Sequence, residues 1–521
     1  MEEKYHITRA AGLMSIATFI SRILGYIKDM VLAKFFGATG IADTFFVAFR
    51  IPNLLRELFA EGSMSSAFIP VLTEYQTKHG MREAERLVRI TFTFILIFVG
   101  LICLLGIIFA PTIVTAIAPG FRTMPEKFSL TVMLTRIMFP FLLFISLAAL
   151  AMGALNTKRI FFPSALAPAL MNIVIIVIVL IFAARIKQPI LAVAIGVACG
   201  GLLQFIFQIP FLLKNGHQLL PEYNFAHPGL KKMSILILPA TMGMAVAQIN
   251  IFISTILASY LPEGSITYLY YSMRLIQFPI GIFGVAMGMA VLPTLSEHAA
   301  KREYEKLSND FSFALRFLFF ITVPAMVGLI ALREPIVNIL FQRGKFDYAA
   351  TVGTAQALLF YSLGIWCIVG SRVITVSFYS MQDTKTPVKI AVIALATNVI
   401  FSIILMNPLK HSGLALSNSI AAGLNFILLF FFLKKKLKQI DTKKVFIAFS
   451  KTILASSVMG IIGGLLLRSN IWQIQGYTLD KVFYLSGTIA LCTCLYFFLS
   501  YIMKSEEVSY ILTMIRQRFG Q

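Results

Sequence analysis

Residues capable of chemistry gather in one apolar stretch. From Ser21 to Ser63 the chain reads SRILGYIKDMVLAKFFGATGIADTFFVAFRIPNLLRELFAEGS, so Arg22, Lys28, Asp29, Lys34, Asp43, Arg50, Arg56, Glu57 and Glu61 stand among hydrophobic side chains. A charge at the centre of a bilayer costs about 2.5–3.5 kcal/mol on insertion scales, so it usually faces a wet cavity and marks a pathway. Lys34 and Arg50 fit helix ends, where a long side chain snorkels to the interface. Arg22, Lys28 and Arg56 together fit a cationic cavity better. A further cation, Arg274, sits in the apolar run YLYYSMRLIQFPIGIFGVAMG. A guanidinium fork donates two parallel hydrogen bonds to a phosphate, and three or four such cations in one cavity match a pyrophosphate. Arg274 has a plainer alternative, a tie to the free carbonyls of a broken helix. Asp29 and Asp43 are either pathway groups or ion-pair partners of Lys28 and Arg22. Glu57 and Glu61, four apart on a helix, share a face and suit a gate or lock at the cytoplasmic rim. Arg136 and Arg372 are also intramembrane, with a structural and an interfacial role equally open.

These residues need membrane helices to position them. The chain has 521 residues, 58% hydrophobic and 13% charged, with mean hydropathy +0.84. A soluble protein is about a quarter charged. Apolar runs of about 20 residues, each long enough to cross a bilayer as a helix, recur throughout. The expected fold is an all-α polytopic membrane protein with fourteen transmembrane helices. Among them the second span covers 41–61, the seventh 232–260, the eighth 266–295, the eleventh 387–407 and the twelfth 411–434. A short amphipathic helix follows from Glu506 to Phe519. The N-terminal apolar stretch runs into Arg22 without a small-residue cleavage site, so it reads as a retained first span.

The net charge of +22 is distributed unevenly between loops. One set of alternate loops is basic, with Lys78, Arg82, Arg86 and Arg89, then Lys158 and Arg159, then the run from Lys434 to Lys444. The other set is poorer, with Glu263 alone in one loop and Lys410 in another. The positive-inside rule places both termini in the cytoplasm, which an even number of spans requires. Membrane orientation therefore accounts for the charge, and no nucleic-acid motif accompanies it.

The chain also repeats itself. AFIPVLTEYQTKHGMREAERL from Ala67 resembles AVLPTLSEHAAKREYEKL from Ala290, and GALNTKRIFFPSALAPALMNIVII from Gly153 echoes YSMQDTKTPVKIAVIALATNVIFS from Tyr379. Pro70 to Pro293 is 223 positions and Asn172 to Asn398 is 226, so the offsets agree. Six spans fit one offset, an even number, so the halves point the same way as parallel repeats. The expected organisation is a six-helix bundle at 1–220, a second at 221–440, and two further spans with an amphipathic tail at 441–521.

No enzyme constellation is present: no P-loop, no G-x-S-x-G and no H-E-x-x-H. The five cysteines lie in apolar runs without metal-ligand spacing, and the six histidines lie in loops or near span ends. No cofactor or metal is expected. Gln248, Asn250, Asn398 and Ser402 form a possible ion site or polar core, while Asn172 and Asn398 suit interhelical hydrogen bonds.

The stretches SRILGYIKD, ADTFFVAFRIPNLLRELFAEGSMSSAFIPVLTEY, YSMRLIQFPIGIFGVAMGMAVLPTLSEH, LFQRGKFD and FYSMQDTKTP resemble the MurJ (MviN) family of bacterial lipid II flippases. That family belongs to the multidrug/oligosaccharidyl-lipid/polysaccharide exporter superfamily. The resemblance runs in register through about the first 430 residues. It implies translocation of lipid II, the undecaprenyl-pyrophosphate-linked peptidoglycan precursor, from the inner to the outer leaflet of the cytoplasmic membrane by alternating access. It also implies cavity arginines at Arg22, Arg56 and Arg274, with Lys28 standing where the family has a fourth arginine, and acidic family positions at Asp29, Asp43 and Glu61. The last two spans would form a hydrophobic groove for the polyprenyl tail. Some members bind sodium with carboxylates of spans seven, eleven and twelve; here those spans offer none, so no sodium site is expected. Lipid II and membrane lipids are the expected partners, with other cell-wall synthesis proteins as further candidates and no nucleic acid. A polysaccharide or multidrug exporter of the same superfamily is the alternative.

Overall fold

A computed structural model of the chain describes the backbone of residues 2–57, 63–437 and 440–519, and the side chains there except at 2–15, 63–66, 238–247, 285, 514–515 and 518–519. Helices dominate, and no strand occurs among the described residues. The chain is an all-α polytopic membrane protein. It divides into two compact units, Met1–Glu263 and Gly264–Gln521. Packing therefore divides the chain after the seventh expected span, whereas the boundary expected from internal similarity lies near residue 220. The two criteria measure different things.

The first unit runs through α1 (Glu2–Phe36), α2 (Gly40–Arg56), α3 (Ser63–Lys78), α4 (Gly80–Ile108), α5 (Ala110–Ile117), α6 (Pro125–Met138), α7 (Pro140–Thr157), α8 (Phe162–Phe182), α9 (Ile190–Lys214) and α10 (Pro228–Ala258). Leu, Ile, Val and Ala fill these segments, and 5.4 Å per turn lets about 20 of them cross the hydrocarbon. Small residues set the closest approach. A Cβ added to Gly196 of α9 would lie 3.1 Å from the Ile175 Cα of α8, so the pair packs backbone to backbone. α8 also packs on α1, while α10 lies against α3.

The second unit runs through α11 (Ser265–Pro279), a π-helical turn at Ile280–Val285, α12 (Ala286–Ala300), α13 (Tyr304–Ala331), α14 (Arg333–Phe341), α15 (Tyr348–Ser362), α16 (Ile365–Ser380), α17 (Lys385–Leu437), α18 (Thr442–Leu466), α19 (Thr478–Ile502) and α20 (Glu506–Phe519). α17 has 53 residues, and Lys410 interrupts it with φ 50° and ψ −133°. Gly413 lies so close to the Leu405 carbonyl that no Cβ would fit, so the chain reverses there. α17 thus spans both stretches expected as spans eleven and twelve. α18, α19 and α20 attach to α13 through Phe320, Met459, Tyr496 and Val508, with the Tyr496 hydroxyl donating to the Phe320 carbonyl at 2.6 Å.

The packing of each unit repeats. In the first, α2 packs on α6, α3 on α7 and α4, and α4 on α7; in the second, α11 packs on α15, α12 on α16 and α13, and α13 on α16. This is the pairing expected if Pro70 and Pro293 occupy equivalent places. Ten helices or continuous helix pairs among the described residues are long and apolar enough to cross a membrane, α17 counting as one of them.

Candidate functional site

Among the described residues, the charged groups of α1 and α2 singled out above fall in three places. On α1, Lys28 lies 3.4 Å from the fully buried Asp29. The neighbouring carboxylate holds the ammonium of a half-buried side chain within the apolar helix. On the same helix Arg22 is exposed, and the adjacent Ser21 carbonyl accepts from Asn172 Nδ2 of α8 at 3.3 Å. Asn172 therefore makes an interhelical hydrogen bond.

The second cluster closes the end of α2. Pro52 lies inside the helix one turn before Arg56, and Glu57 follows in a π-type turn. Asn53 Oδ1 accepts from Arg56 Nε at 3.1 Å, and Asn53 Nδ2 donates to Glu57 Oε1 at 2.9 Å. Arg56 Nη2 lies 3.8 Å from the same carboxylate oxygen. The other oxygen, Glu57 Oε2, accepts from Gln248 Nε2 of α10 at 2.5 Å. Glu57 thereby links the second span to the seventh. Span seven has no carboxylate of its own; the fold supplies one from span two. Asn53 was missed, although its i, i+3 and i, i+4 spacing to Arg56 and Glu57 signals such a knot. Glu61 lies outside the described residues.

The third cluster is at the other end of α2. Asp43, in the first turn, is buried and lies 3.4 Å from Lys127 Nζ of α6. The Lys127 ammonium also sits 4.4 Å from the centre of the Phe121 ring. Asp43 thus pairs with Lys127, not Arg22. Lys127 stands two residues after the helix entry at Pro125, which turns it inward. A carboxylate at a helix N-terminus also meets the positive end of the helix dipole. Glu263 lies over that same terminus, where a Cβ on Gly40 would come within 2.5 Å of its Oε1.

In the second unit Arg274 is half-buried on α11, shortly before the π-helical turn at Ile280–Val285. Such turns recur at functional sites because they release backbone groups from the regular ladder. Asn398 and Ser402, one turn apart on α17, are both buried, whereas Gln248 and Asn250 are half-buried on α10. Arg136 reaches the Ile107 carbonyl of α4 with its Nε at 3.2 Å, a structural tie, and Arg372 is exposed on α16. Among the described residues no group of three or more His, Cys, Asp or Glu is placed to hold a metal. The arrangement sets carboxylates beside cations on apolar helices, Asp29 by Lys28, Glu57 by Arg56 and Asp43 by Lys127.

Comparison with known proteins places the chain. The family described as Lipid II flippase MurJ matches residues 32–487. The chain is 34% identical over 476 residues to the probable lipid II flippase MurJ of Vibrio cholerae, covering 90% of this chain and 89% of that one. It is 34% identical over 503 residues to the lipid II flippase MurJ of Burkholderia cenocepacia, covering 96% and 98%. A solved lipid II flippase MurJ in an inward closed conformation superposes with TM-score 0.78 at 29% identity, over 94% of this chain and 98% of that one. An inward-facing multidrug transporter of the MATE family superposes with TM-score 0.67 at 16% identity, over 83% and 98%, a likeness of fold alone. A match across most of the chain in family, relatives and fold has one consequence: the chain belongs to the MurJ family of lipid II flippases.

Proposed function

We propose that this chain translocates lipid II from the inner to the outer leaflet of the bacterial cytoplasmic membrane, by alternating access, for peptidoglycan synthesis. Membership of the flippase family across residues 32–487 carries this reading. It is a transporter, not a catalyst. Arg22, Lys28, Arg56 and Arg274 supply the donors for the pyrophosphate, the arginines through planar forks and Lys28 as a point charge. Asp29, Asp43, Glu57 and Glu61 hold or release these cations and the helix ends near them. The bundles at 1–220 and 221–440 are the repeats that exchange arrangement, and the spans within 441–521 receive the polyprenyl tail. Both termini lie in the cytoplasm, as the loop charges argue.

The exporter alternative receives less support. A drug exporter handling cations calls for unpaired intramembrane carboxylates, whereas Asp29, Asp43 and Glu57 each lie beside a cation here. The test is depletion of the protein in growing cells, followed by leaflet-resolved measurement of lipid II. Lipid II should accumulate in the inner leaflet. An unchanged leaflet distribution would sink the reading.

A further inference from the structure

The second unit contains a cavity of about 770 Å³ whose charged lining has no part in the transport proposed above. It opens where the start of α14 meets the end of α18 and the turn Asn470–Gln473. Its charged lining is Arg333, Glu334 and Arg468, with Tyr348, Ser469 and Asn470 beside them.

The wall is rigidly built. Buried Asn338 donates to the Trp472 carbonyl at 2.6 Å, and Gln342 donates to the Gln473 carbonyl at 3.2 Å. The Trp472 indole donates back to the Leu467 carbonyl at 2.7 Å and stacks on Tyr484 with ring centres 6.0 Å apart. Satisfied buried polar groups of this kind lock a loop into one shape.

The charges, by contrast, are not spent on one another. Among the described residues Arg333, Glu334 and Arg468 form no ion pair. Arg333 Nη1 donates to the Ile330 carbonyl at 2.8 Å, which leaves other donors of its guanidinium fork. Two cations and a carboxylate held apart in one cavity fit a ligand bearing both signs. An apolar surface adjoins it. Gly464 lines the cavity, and its neighbours on α18, Ile461 and Leu465, are 64% and 63% exposed.

A phosphate for the arginines, an ammonium for Glu334 and an acyl chain for α18 are joined in a single class of molecule. We propose that this cavity binds the phosphoethanolamine headgroup of a membrane phospholipid. The headgroup site does not depend on the transported substrate; its acyl chain lies on α18, within the spans proposed above to receive the polyprenyl tail, and its leaflet follows from the orientation proposed above.

Native mass spectrometry of the full chain, delipidated in detergent, tests this. The probes are dioleoylphosphatidylethanolamine, dioleoylphosphatidylglycerol and soluble phosphoethanolamine. The ethanolamine lipid should fill its first site about tenfold more tightly than the glycerol lipid, the scale of one charged hydrogen bond. Arg333→Gln and Arg468→Gln should each weaken it by about tenfold. Glu334→Gln should erase the preference by strengthening phosphatidylglycerol. A Cβ on Gly464 meets nothing within 4 Å, so Gly464→Phe should fill the cavity without disturbing the helix and abolish this binding step. Lys345→Gln, an exposed cation outside the lining, should change nothing. Equal affinity of the wild type for both lipids would overturn the headgroup assignment. Soluble phosphoethanolamine binding as tightly as the lipid would overturn the lipid assignment. Undiminished binding in both Gly464→Phe and Arg468→Gln would remove the cavity from consideration.

Discussion

Replacing Lys127 by methionine isolates the energetics of one buried ion pair and decides what Asp43 does. The side chains of Lys127 and Asp43 are 9% and 2% exposed and 3.4 Å apart. Removing one partner of a buried pair costs about 3–5 kcal/mol, because the other charge stays desolvated. Asp43 lies in the first turn of α2, and the helix dipole acts on it in wild type and variant alike, so it cancels. Lys127→Met should therefore lose about 3–5 kcal/mol. The double variant Asp43→Asn with Lys127→Met should return to within about 1 kcal/mol of wild type, since an uncharged pair of similar volume avoids the desolvation. Reversible unfolding in mixed micelles, titrated with sodium dodecyl sulfate, gives all four corners of the cycle. A cost below about 1 kcal/mol for Lys127→Met, the scale of an exposed pair, would refute the reasoning. Complementation of a depleted strain then assigns the role. A double variant that is stable and active makes Asp43 structural, whereas one that is stable and inactive makes it part of the transport path.

Three further outcomes are expected. If Lys28 supplies charge to substrate, Lys28→Arg should complement and Lys28→Ala should not; equal growth of both would return Lys28 to the interface. Cysteines at Tyr260 and Tyr477, both exposed, should label from outside intact cells, while cysteines at Lys78 and Lys301 should not, and the reverse pattern would invert the orientation. The hydrogen bond from Arg316 Nη1 at 2.6 Å holds the Glu506 carboxyl below its ordinary range. A lowered carboxyl contributes above its unfolded value and stops contributing as pH falls through the folded one. A spin label at Thr513 on α20 should therefore keep its mobility from neutral pH down to about 4.3, the ordinary glutamate value, and loosen only below it. Loosening already at mild acidity would assign the docking to another group.

Much of this protein was legible along the chain because membrane helices satisfy their own backbone, so each span announces itself as a run of about 20 apolar residues. The all-α class, the helix from Glu506 to Phe519, the reversal near Lys410 and the repeat offset between Pro70 and Pro293 all follow from patterns within the sequence. Asp29 beside Lys28 is likewise legible, because neighbours on one helix stay neighbours in the fold. Partners from distant segments were not legible. Asp43 meets Lys127 across 84 positions, and Glu57 meets Gln248 across 191. Which span lies beside which is set by the packing of small residues such as Gly196 against Ile175, and periodicity does not encode it. The cavity at Arg333 and Arg468 depends on the same step. Each residue reads alone as a loop charge, and only the tertiary structure, by bringing the ends of α14 and α18 together around Trp472, puts both guanidinium groups in one wall.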